Sequence, residues 1–258
     1  FGTISGMKKM KKLIVGNWKM NPVEVEDAKD IVKAVKRASG KLKRSQVVVC
    51  PPFVYTSLFS KTKGGNFFLG AQNANHEMSG SFTGEVSYSM LYQLGVRFVI
   101  VGHSERRKMG ETDELVNRKV KSVVNSGMSA IICVGESTRD HNGDYLELIK
   151  KQIHTALTDV PKKILNQVVI AYEPIWAIGS TQAMGPRDLH EMSIYIKKVL
   201  NDMFGIASDD IRIIYGGAVD SVNAENLIQE GNVSGFLVGR QSLVPKDFVE
   251  IMKAVDSI

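Results

Sequence analysis

Groups that can carry acid–base chemistry stand directly after several short apolar runs of this 258-residue sequence. They are an amide, an ammonium, an imidazole and three carboxylates: Asn17, Lys19, His103, Glu105, Glu136 and Glu173. A carboxylate that faces an imidazole and an ammonium can abstract a proton beside a carbonyl, with the developing oxyanion stabilised opposite the base. If the apolar runs are strands that end at one rim, these groups converge there and predict proton abstraction next to a carbonyl.

Turns that contain glycine follow two later apolar runs. Gly216-Gly217 stands after one run, and Gly239-Arg240 stands after the other. Such turns ahead of short helices present unpaired backbone N–H groups, which suit a phosphate group. The sequence holds no Gly-x-x-x-x-Gly-Lys-Ser/Thr, Gly-x-Gly-x-x-Gly or His-Glu-x-x-His motif, so NTP-binding, dinucleotide-binding and zinc-protease interpretations have no support.

Eight short apolar runs are candidates for the strands that must position these groups. Most are apolar almost throughout, as strands of a parallel sheet are when both faces are covered. The runs are Leu13–Gly16, Val47–Cys50, Phe67–Gly70, Phe98–Gly102, Ala130–Val134, Val168–Tyr172, Ile211–Tyr215 and Gly235–Val238. Amphipathic stretches between them predict helices, clearest at Ala28–Ala38, Leu115–Val124, Tyr145–Leu157 and Leu189–Phe204. Helix-start signals occur at Thr112-Asp113-Glu114 and at Gly185-Pro186.

This alternation predicts a single closed (β/α)8 barrel with eight parallel strands. The strand–helix pairs recur about every thirty residues, without a Ser- or Pro-rich linker. Functional groups of such barrels gather at the C-terminal ends of the strands. Because alternation alone does not show that a sheet closes, a doubly wound sheet remains the alternative. We expect residues 7–258 to form the one barrel domain and residues 1–6 to be a remnant of an expression vector.

Composition and charge exclude several classes of protein. Hydrophobic residues make up 43% and charged residues 23%, which allows a core and argues against disorder. No apolar run reaches the roughly 18 residues of a membrane span, and no signal peptide is evident, so we expect a cytoplasmic protein. Cys50 and Cys133 cannot form a disulfide framework or a Cys-x-x-Cys site. The net charge of +6 comes without interleaved aromatic residues, which favours small anionic substrates over nucleic acid.

Seven segments in order along the chain carry a resemblance to one family. They are Gly16–Asn21, Ala71–Asn73, Phe82–Glu85, Val101–Arg107, Cys133–Glu136, Ala171–Gly179 and Tyr215–Gly217. Together these segments, within a match from about Lys12 to Leu243, resemble the triosephosphate isomerases, which have the TIM-barrel fold. The resemblance implies an enzyme of glycolysis and gluconeogenesis that interconverts D-glyceraldehyde 3-phosphate and dihydroxyacetone phosphate through an enediolate, without a cofactor or metal.

The resemblance also implies catalytic roles for individual residues. Glu173 is implied as the base that moves a proton between two neighbouring carbons. His103 is implied as the electrophile that polarises the carbonyl, with its ring held neutral by a helix starting at Ser104, for which this family is the standard example. Lys19 is implied to place its charge beside the enediolate, and Asn17 to hydrogen-bond in the same pocket. Glu105, through contact with Lys19, and the buried Cys133 are expected to support the site without touching substrate.

A phosphate-gripping lid and two phosphate-binding turns are implied as well. The lid comprises Pro174, Ile175, Trp176, Ala177 and Ile178, and the residues implied to bind phosphate or substrate are Gly179, Ser180, Ala218, Gly239 and Arg240. The sequence departs from the family pattern at three of these places. Ser180-Thr181-Gln182 replaces the usual Thr-Gly-Lys, Ala218 replaces a serine, and Arg240-Gln241 replaces Gly-Ala. We therefore expect the activity with weaker substrate binding or altered lid kinetics.

A homodimer is implied by the segment Gln72–Glu85, which resembles the family's interdigitating loop. Thr83 would then reach the partner subunit's pocket, and Met78 and Phe82 are apolar enough to fill such an interface. No nucleic-acid or membrane partner is expected. Two other functions stay open at this point: a barrel isomerase of another sugar phosphate, and a non-catalytic phosphate-binding or scaffolding protein that keeps the fold.

Overall fold

A closed parallel barrel is the framework of the computed structural model, which describes residues 10–62, 64–140, 142–177 and 184–258. Each strand pairs in parallel with the next, and the last pairs with the first, so the doubly wound alternative is wrong. The strands are β1 (Lys12–Asn17), β2 (Ser45–Cys50), β3 (Phe67–Ala71), β4 (Phe98–Val101), β5 (Ser129–Val134), β6 (Val168–Tyr172), β7 (Arg212–Tyr215) and β8 (Gly235–Val238).

Two apolar layers explain why the strands are apolar almost throughout. Alternate residues of β1 show the pattern: Leu13 and Val15 belong to a core inside the barrel, whereas Ile14 belongs to the larger core between the sheet and the helices. Both layers are buried, with Leu13, Ile14 and Val15 at 0% exposure. Successive strand residues point to opposite faces, so a sheet covered on both faces needs apolar side chains at every position.

Helices cover the outside of the barrel, and the four clearest predictions are confirmed with slightly earlier starts. Thr112 caps the helix that follows it, since its Oγ1 accepts a hydrogen bond from Leu115 N at 3.2 Å. Pro186 opens another helix at its first turn. The helices are α1 (Val25–Ser39), α2 (Phe53–Thr56), α3 (Tyr88–Gln93), α4 (Ser104–Lys108), α5 (Asp113–Asn125), α6 (Asp144–Leu157), α7 (Pro186–Phe204), α8 (Ala224–Gly231) and α9 (Pro245–Ser257).

Several sequence predictions fall outside the described residues. They concern the expected vector remnant at residues 1–6 and the outer part of the lid, at Ile178, Gly179, Ser180, Thr181 and Gln182. Among the helices in the described part of the chain, none is both long enough and apolar enough to cross a membrane.

Candidate active site

A cavity of about 490 Å³ opens where the barrel strands end at their C-termini. Side chains from three strand ends line it together: Asn17 at the end of β1, Lys19 after it, His103 after β4 and Glu173 after β6. The turns after β7 and β8 add Gly216, Gly217, Ala218, Gly239, Arg240 and Gln241 to the lining. Four of the six groups singled out for acid–base chemistry therefore meet the glycine turns in one cavity, whereas Glu105 and Glu136 do not line it.

Glu173 is held almost fully buried beside His103. The Glu173 side chain lies next to β6, and its residue is 3% exposed. Oε1 lies 3.2 Å from Nε2 of His103, and Oε2 accepts a hydrogen bond from the Ser104 backbone N–H at 3.3 Å. Gly216 leaves room for this carboxylate, because a Cβ added there would lie 2.7 Å from Glu173 Cγ. The carboxylate is thus oriented by one oxygen and presents the other towards the imidazole.

His103 owes its orientation to a turn between β4 and α4. Gly102 has φ +69°, a conformation that favours glycine, and it turns the chain so that His103 caps α4. Nδ1 of His103 accepts a hydrogen bond from the Glu105 backbone N–H at 3.2 Å. A ring nitrogen that accepts carries no proton, so the neutral ring has its proton on Nε2, which faces Glu173. The imidazole can therefore donate a hydrogen bond into the cavity.

Lys19 adopts a left-handed backbone conformation, with φ 55°, which is uncommon for residues other than glycine. Two side chains fix it: Gln72 Nε2 donates to the Lys19 carbonyl at 2.8 Å, and Asn17 Oδ1 accepts from the Lys19 N–H at 3.2 Å. The ammonium donates to Glu105 Oε1 at 2.6 Å. Partial burial alone would raise the pKa of the Glu105 carboxyl, but the Lys19 hydrogen bond and the nearby His103 lower it overall. The contact implied between Glu105 and Lys19 is present.

Cys133 lies behind Glu173 and does not line the cavity. Burial, the negative charge of Glu173 and a hydrogen bond to that carboxylate raise the pKa of the Cys133 thiol, in that order of size. Burial likewise raises the pKa of Cys50. Both thiols therefore stay protonated at neutral pH.

Glu136 lies outside the cavity lining and instead joins the base of the lid to the barrel. Its Oε1 accepts hydrogen bonds from Trp176 Nε1 at 2.9 Å and from the Tyr172 hydroxyl at 2.9 Å. Arg139 Nε donates to the same oxygen at 3.2 Å, and its guanidinium lies 5.5 Å from the Trp176 ring centroid. The sequence analysis grouped Glu136 with the rim and missed Tyr172 and Arg139, although the Glu136–Arg139 spacing of an ion pair could have indicated the latter.

The turn after β7 is fixed by side chains that the sequence analysis did not single out. Asn223 lines the cavity, and its Nδ2 donates to the Ala218 carbonyl at 3.4 Å. Asp220 also lines the cavity, and its Oδ1 accepts the backbone N–H groups of Val222 and Asn223, both at 2.9 Å. Asp and Asn are common in such turns because they bond their own backbone, and this local pattern was the available signal.

The remaining implied residues do not meet in this cavity within one chain. Thr83 is exposed in the loop that begins at Gln72, and it does not line the cavity. Gly179 and Ser180 lie outside the described residues, so their implied phosphate contacts stay predictions. In the part of the chain that the structure describes, no group of three or more His, Cys, Asp or Glu residues could hold a metal ion.

Comparisons with known proteins agree on one family. The family model described as triosephosphate isomerase matches residues 12–255. A triosephosphate isomerase of Lawsonia intracellularis is 40% identical over 249 residues, which cover 95% of this chain and 98% of the relative. Relatives with the same name from Alkaliphilus oremlandii and Clostridium botulinum are 40% and 41% identical, over 94% and 93% of this chain and 98% of each relative.

Proposed function

Because the chain belongs to the triosephosphate isomerase family, we propose how its own residues carry out the reaction. The chain is an isomerase that interconverts D-glyceraldehyde 3-phosphate and dihydroxyacetone phosphate, a step of glycolysis. One observation carries the mechanism: a buried carboxylate, Glu173, lies 3.2 Å from the imidazole of His103 in a cavity that also holds Lys19 and the glycine turns. Base, electrophile, fixed cation and phosphate site are within reach of one small substrate.

Glu173 is the base in this proposal. Its Oε2 is oriented by the Ser104 N–H, which leaves Oε1 on the side of the cavity. The carboxylate removes a proton from one of the two carbons next to each other in the triose phosphate, and it returns the proton to the other carbon. The electron pair left behind forms the enediolate, so no cofactor has to store it.

His103, Lys19 and Asn17 stabilise the enediolate oxygens. The Nε2 proton of His103 is donated to the carbonyl oxygen, and the ring then passes protons between the two oxygens. Lys19 brings a fixed positive charge to the developing oxyanion, and Asn17 adds an amide in the same cavity. This assignment rests on the hydrogen bond that Nδ1 accepts, because it leaves Nε2 as the donor.

Backbone amides and a lid hold the phosphate and exclude water. The turns at Gly217–Ala218 and Gly239–Gln241 offer backbone N–H groups to the phosphate. Pro174 to Ala177 form the near end of the lid, and Glu136 holds Trp176 at its base. Closing the lid would keep water from an enediolate that otherwise expels phosphate, a use of lids for which this family is the standard example.

A coupled assay of glyceraldehyde 3-phosphate turnover tests the base. The Glu173→Gln variant keeps the shape but not the proton acceptor, so we expect kcat to fall about 10²- to 10⁴-fold. Glu191→Gln, in an exposed position of α7, is the matched control and should equal the parent. A Glu173→Gln variant as active as the parent would exclude Glu173 as the base. An inactive parent that still bound a phosphorylated enediolate mimic would favour the phosphate-binding, non-catalytic alternative.

We also propose that the chain acts as a homodimer through the loop Gln72–Glu85. Two large apolar side chains of this loop are exposed, Met78 at 61% and Phe82 at 47%, and a second chain would cover them. Thr83 lies between them and the end of the loop, exposed and free to approach a partner's cavity. Light scattering should give twice the 28.4 kDa of one chain, and Phe82→Asp should shift the protein towards monomer. A parent of 28.4 kDa would remove the proposal.

We propose that the protein is cytoplasmic, because the glycolytic reaction that it catalyses supports this location. Cell fractionation followed by the coupled assay would test it, and activity confined to a membrane or organelle fraction would contradict it.

A further inference from the structure

Carboxylates outnumber ammonium groups around the cavity when Arg240 is left out. Besides His103, four ionisable side chains line the described part of the cavity: Lys19, Glu173, Asp220 and Arg240. Lys19 is already paired with Glu105, whose carboxylate lies 2.6 Å from the ammonium. Apart from the backbone N–H groups of the turns, Arg240 is therefore the group in this lining best suited to attract a phosphate dianion.

Arg240 is the one cation of this lining that has no acidic partner among the described residues. Its side chain is exposed, and none of the hydrogen bonds or ion pairs of the described chain uses its guanidinium. The residue opens a short 3-10 helix, Arg240–Leu243, directly after the glycine turn of β8. Lys19 is close by, because a Cβ added at Gly239 would lie 3.9 Å from Lys19 Cε. The Lys19 side chain therefore lies beside the turn that carries Arg240.

We propose that the Arg240 guanidinium binds the phosphate group of the substrate directly and sets the specificity of this cavity for phosphorylated ligands. The proposal rests on the proposed function and adds a contact to it. A guanidinium presents its N–H groups in a planar fork that matches two phosphate oxygens, and charge-assisted pairs of this kind are stronger than neutral hydrogen bonds. Ala218, on the neighbouring turn, offers no side-chain donor, so the guanidinium replaces what a hydroxyl there could have contributed.

The contact would act on the turnover of phosphorylated substrate only. The phosphate does not react, but binding energy from a non-reacting part of a substrate can lower the barrier at the reacting carbons, so loss of the contact lowers kcat/KM for glyceraldehyde 3-phosphate. Unphosphorylated D-glyceraldehyde lacks the group that Arg240 binds, and its turnover should not depend on Arg240. These two expectations separate a phosphate contact from a structural role.

The experiment compares Arg240→Met, Arg240→Lys and the control Lys246→Met, an exposed cation outside the cavity. For Arg240→Met we expect kcat/KM for glyceraldehyde 3-phosphate to fall about tenfold and the inhibition constant of inorganic phosphate to rise about tenfold. Arg240→Lys keeps the charge but loses the fork, so it should fall between the parent and Arg240→Met. D-Glyceraldehyde turnover should stay at the parent's rate in all three variants.

Two results would overturn the proposal. If Arg240→Met matches Lys246→Met in both constants, only net charge matters and the direct contact is refuted. If Arg240→Met loses D-glyceraldehyde turnover, Arg240 has a structural role instead. If the parent itself fails to isomerise the substrate, the proposed function fails instead. Calorimetric titration of parent and variants with inorganic phosphate then still decides whether the guanidinium binds the anion.

Discussion

Replacing Gly216 with alanine should displace the base without unfolding the barrel. The added Cβ would lie 2.7 Å from Glu173 Cγ, whereas ordinary contact begins at about 3.4 Å, so the two groups must separate by about 0.7 Å. Glu173 is buried against β6 and the Ser104 N–H, so the displacement falls on the carboxylate that faces His103. A misplacement near 1 Å at a reacting group can lower the rate about 100-fold.

We therefore expect the kcat of Gly216→Ala to fall about 10- to 100-fold in the coupled assay. Gly216 does not have a positive φ, so alanine is compatible with the backbone there and the melting temperature should change little. Gly40→Ala is the matched control, since its Cβ would come no nearer than 3.7 Å to the Arg37 carbonyl oxygen and it lies far along the chain from the cavity.

A kcat of Gly216→Ala within twofold of the parent's would refute the displacement of the base. A melting temperature low enough for the variant to unfold partly at the assay temperature would also refute it, because the lost activity would then report unfolding. Measuring the inhibition constant of inorganic phosphate separates a shifted base from a damaged phosphate turn, and we expect that constant to be nearly unchanged.

Three further substitutions test other parts of the structure. Lys119→Met should lower the free energy of unfolding in urea by about 3 kcal/mol, because Lys119 bonds Asn73 and Glu111 and its loss leaves the buried Glu111 carboxylate with Arg106 alone, 3.4 Å away. Lys121→Met, at a side chain that is 35% exposed, should cost far less. Gly102→Ala should lower the free energy of unfolding by about 1–2 kcal/mol, since φ is +69° and the added Cβ would lie 3.0 Å from Arg107 and Val116. It should also lower kcat, because the strained turn would reorient His103. Asp256 accepts the N–H groups of Lys43 and Arg44; partial burial works to raise the pKa of this carboxyl, but these bonds lower it below 3.8. The stability that Asp256→Asn removes is therefore fully present above pH 3.8 and is lost as the pH falls through the lowered pKa. Thermal melts of the parent and Asp256→Asn across this range would measure the difference. A difference in melting temperature that persisted in acid would contradict the assignment.

The side chains that line the cavity could be predicted from the sequence because they stand at the ends of strands that are easy to recognise. A strand covered on both faces is apolar throughout, so its end is marked by the first polar residue, as at Asn17 and Glu173. The residue types then indicated the chemistry. Closure of the barrel could not be found in this way, since pairing of β1 with β8 depends on contacts between residues more than two hundred positions apart.

The supporting contacts were harder to predict because they depend on side-chain directions. Nothing in the sequence shows that the buried Cys133 thiol lies close enough to Glu173 for that carboxylate to raise its pKa, or that Gly216 must lack a Cβ for the carboxylate to fit. Glu136 stands after a strand like the catalytic residues, yet its carboxylate turns to Trp176 and Tyr172. Spacing gives the strand end but not which way the residue after it points.

Pairing of the first strand with the last has a consequence for protein synthesis. Lys19 follows β1, and the glycine turn beside it follows β8, so two neighbouring walls of the cavity come from opposite ends of the barrel sequence. Leu13 cannot take Gly235 as its neighbour until that residue has left the ribosome. A growing chain that already carries Lys19, His103 and Glu173 therefore still lacks a complete binding site, and it gains one only when translation has passed Gln241.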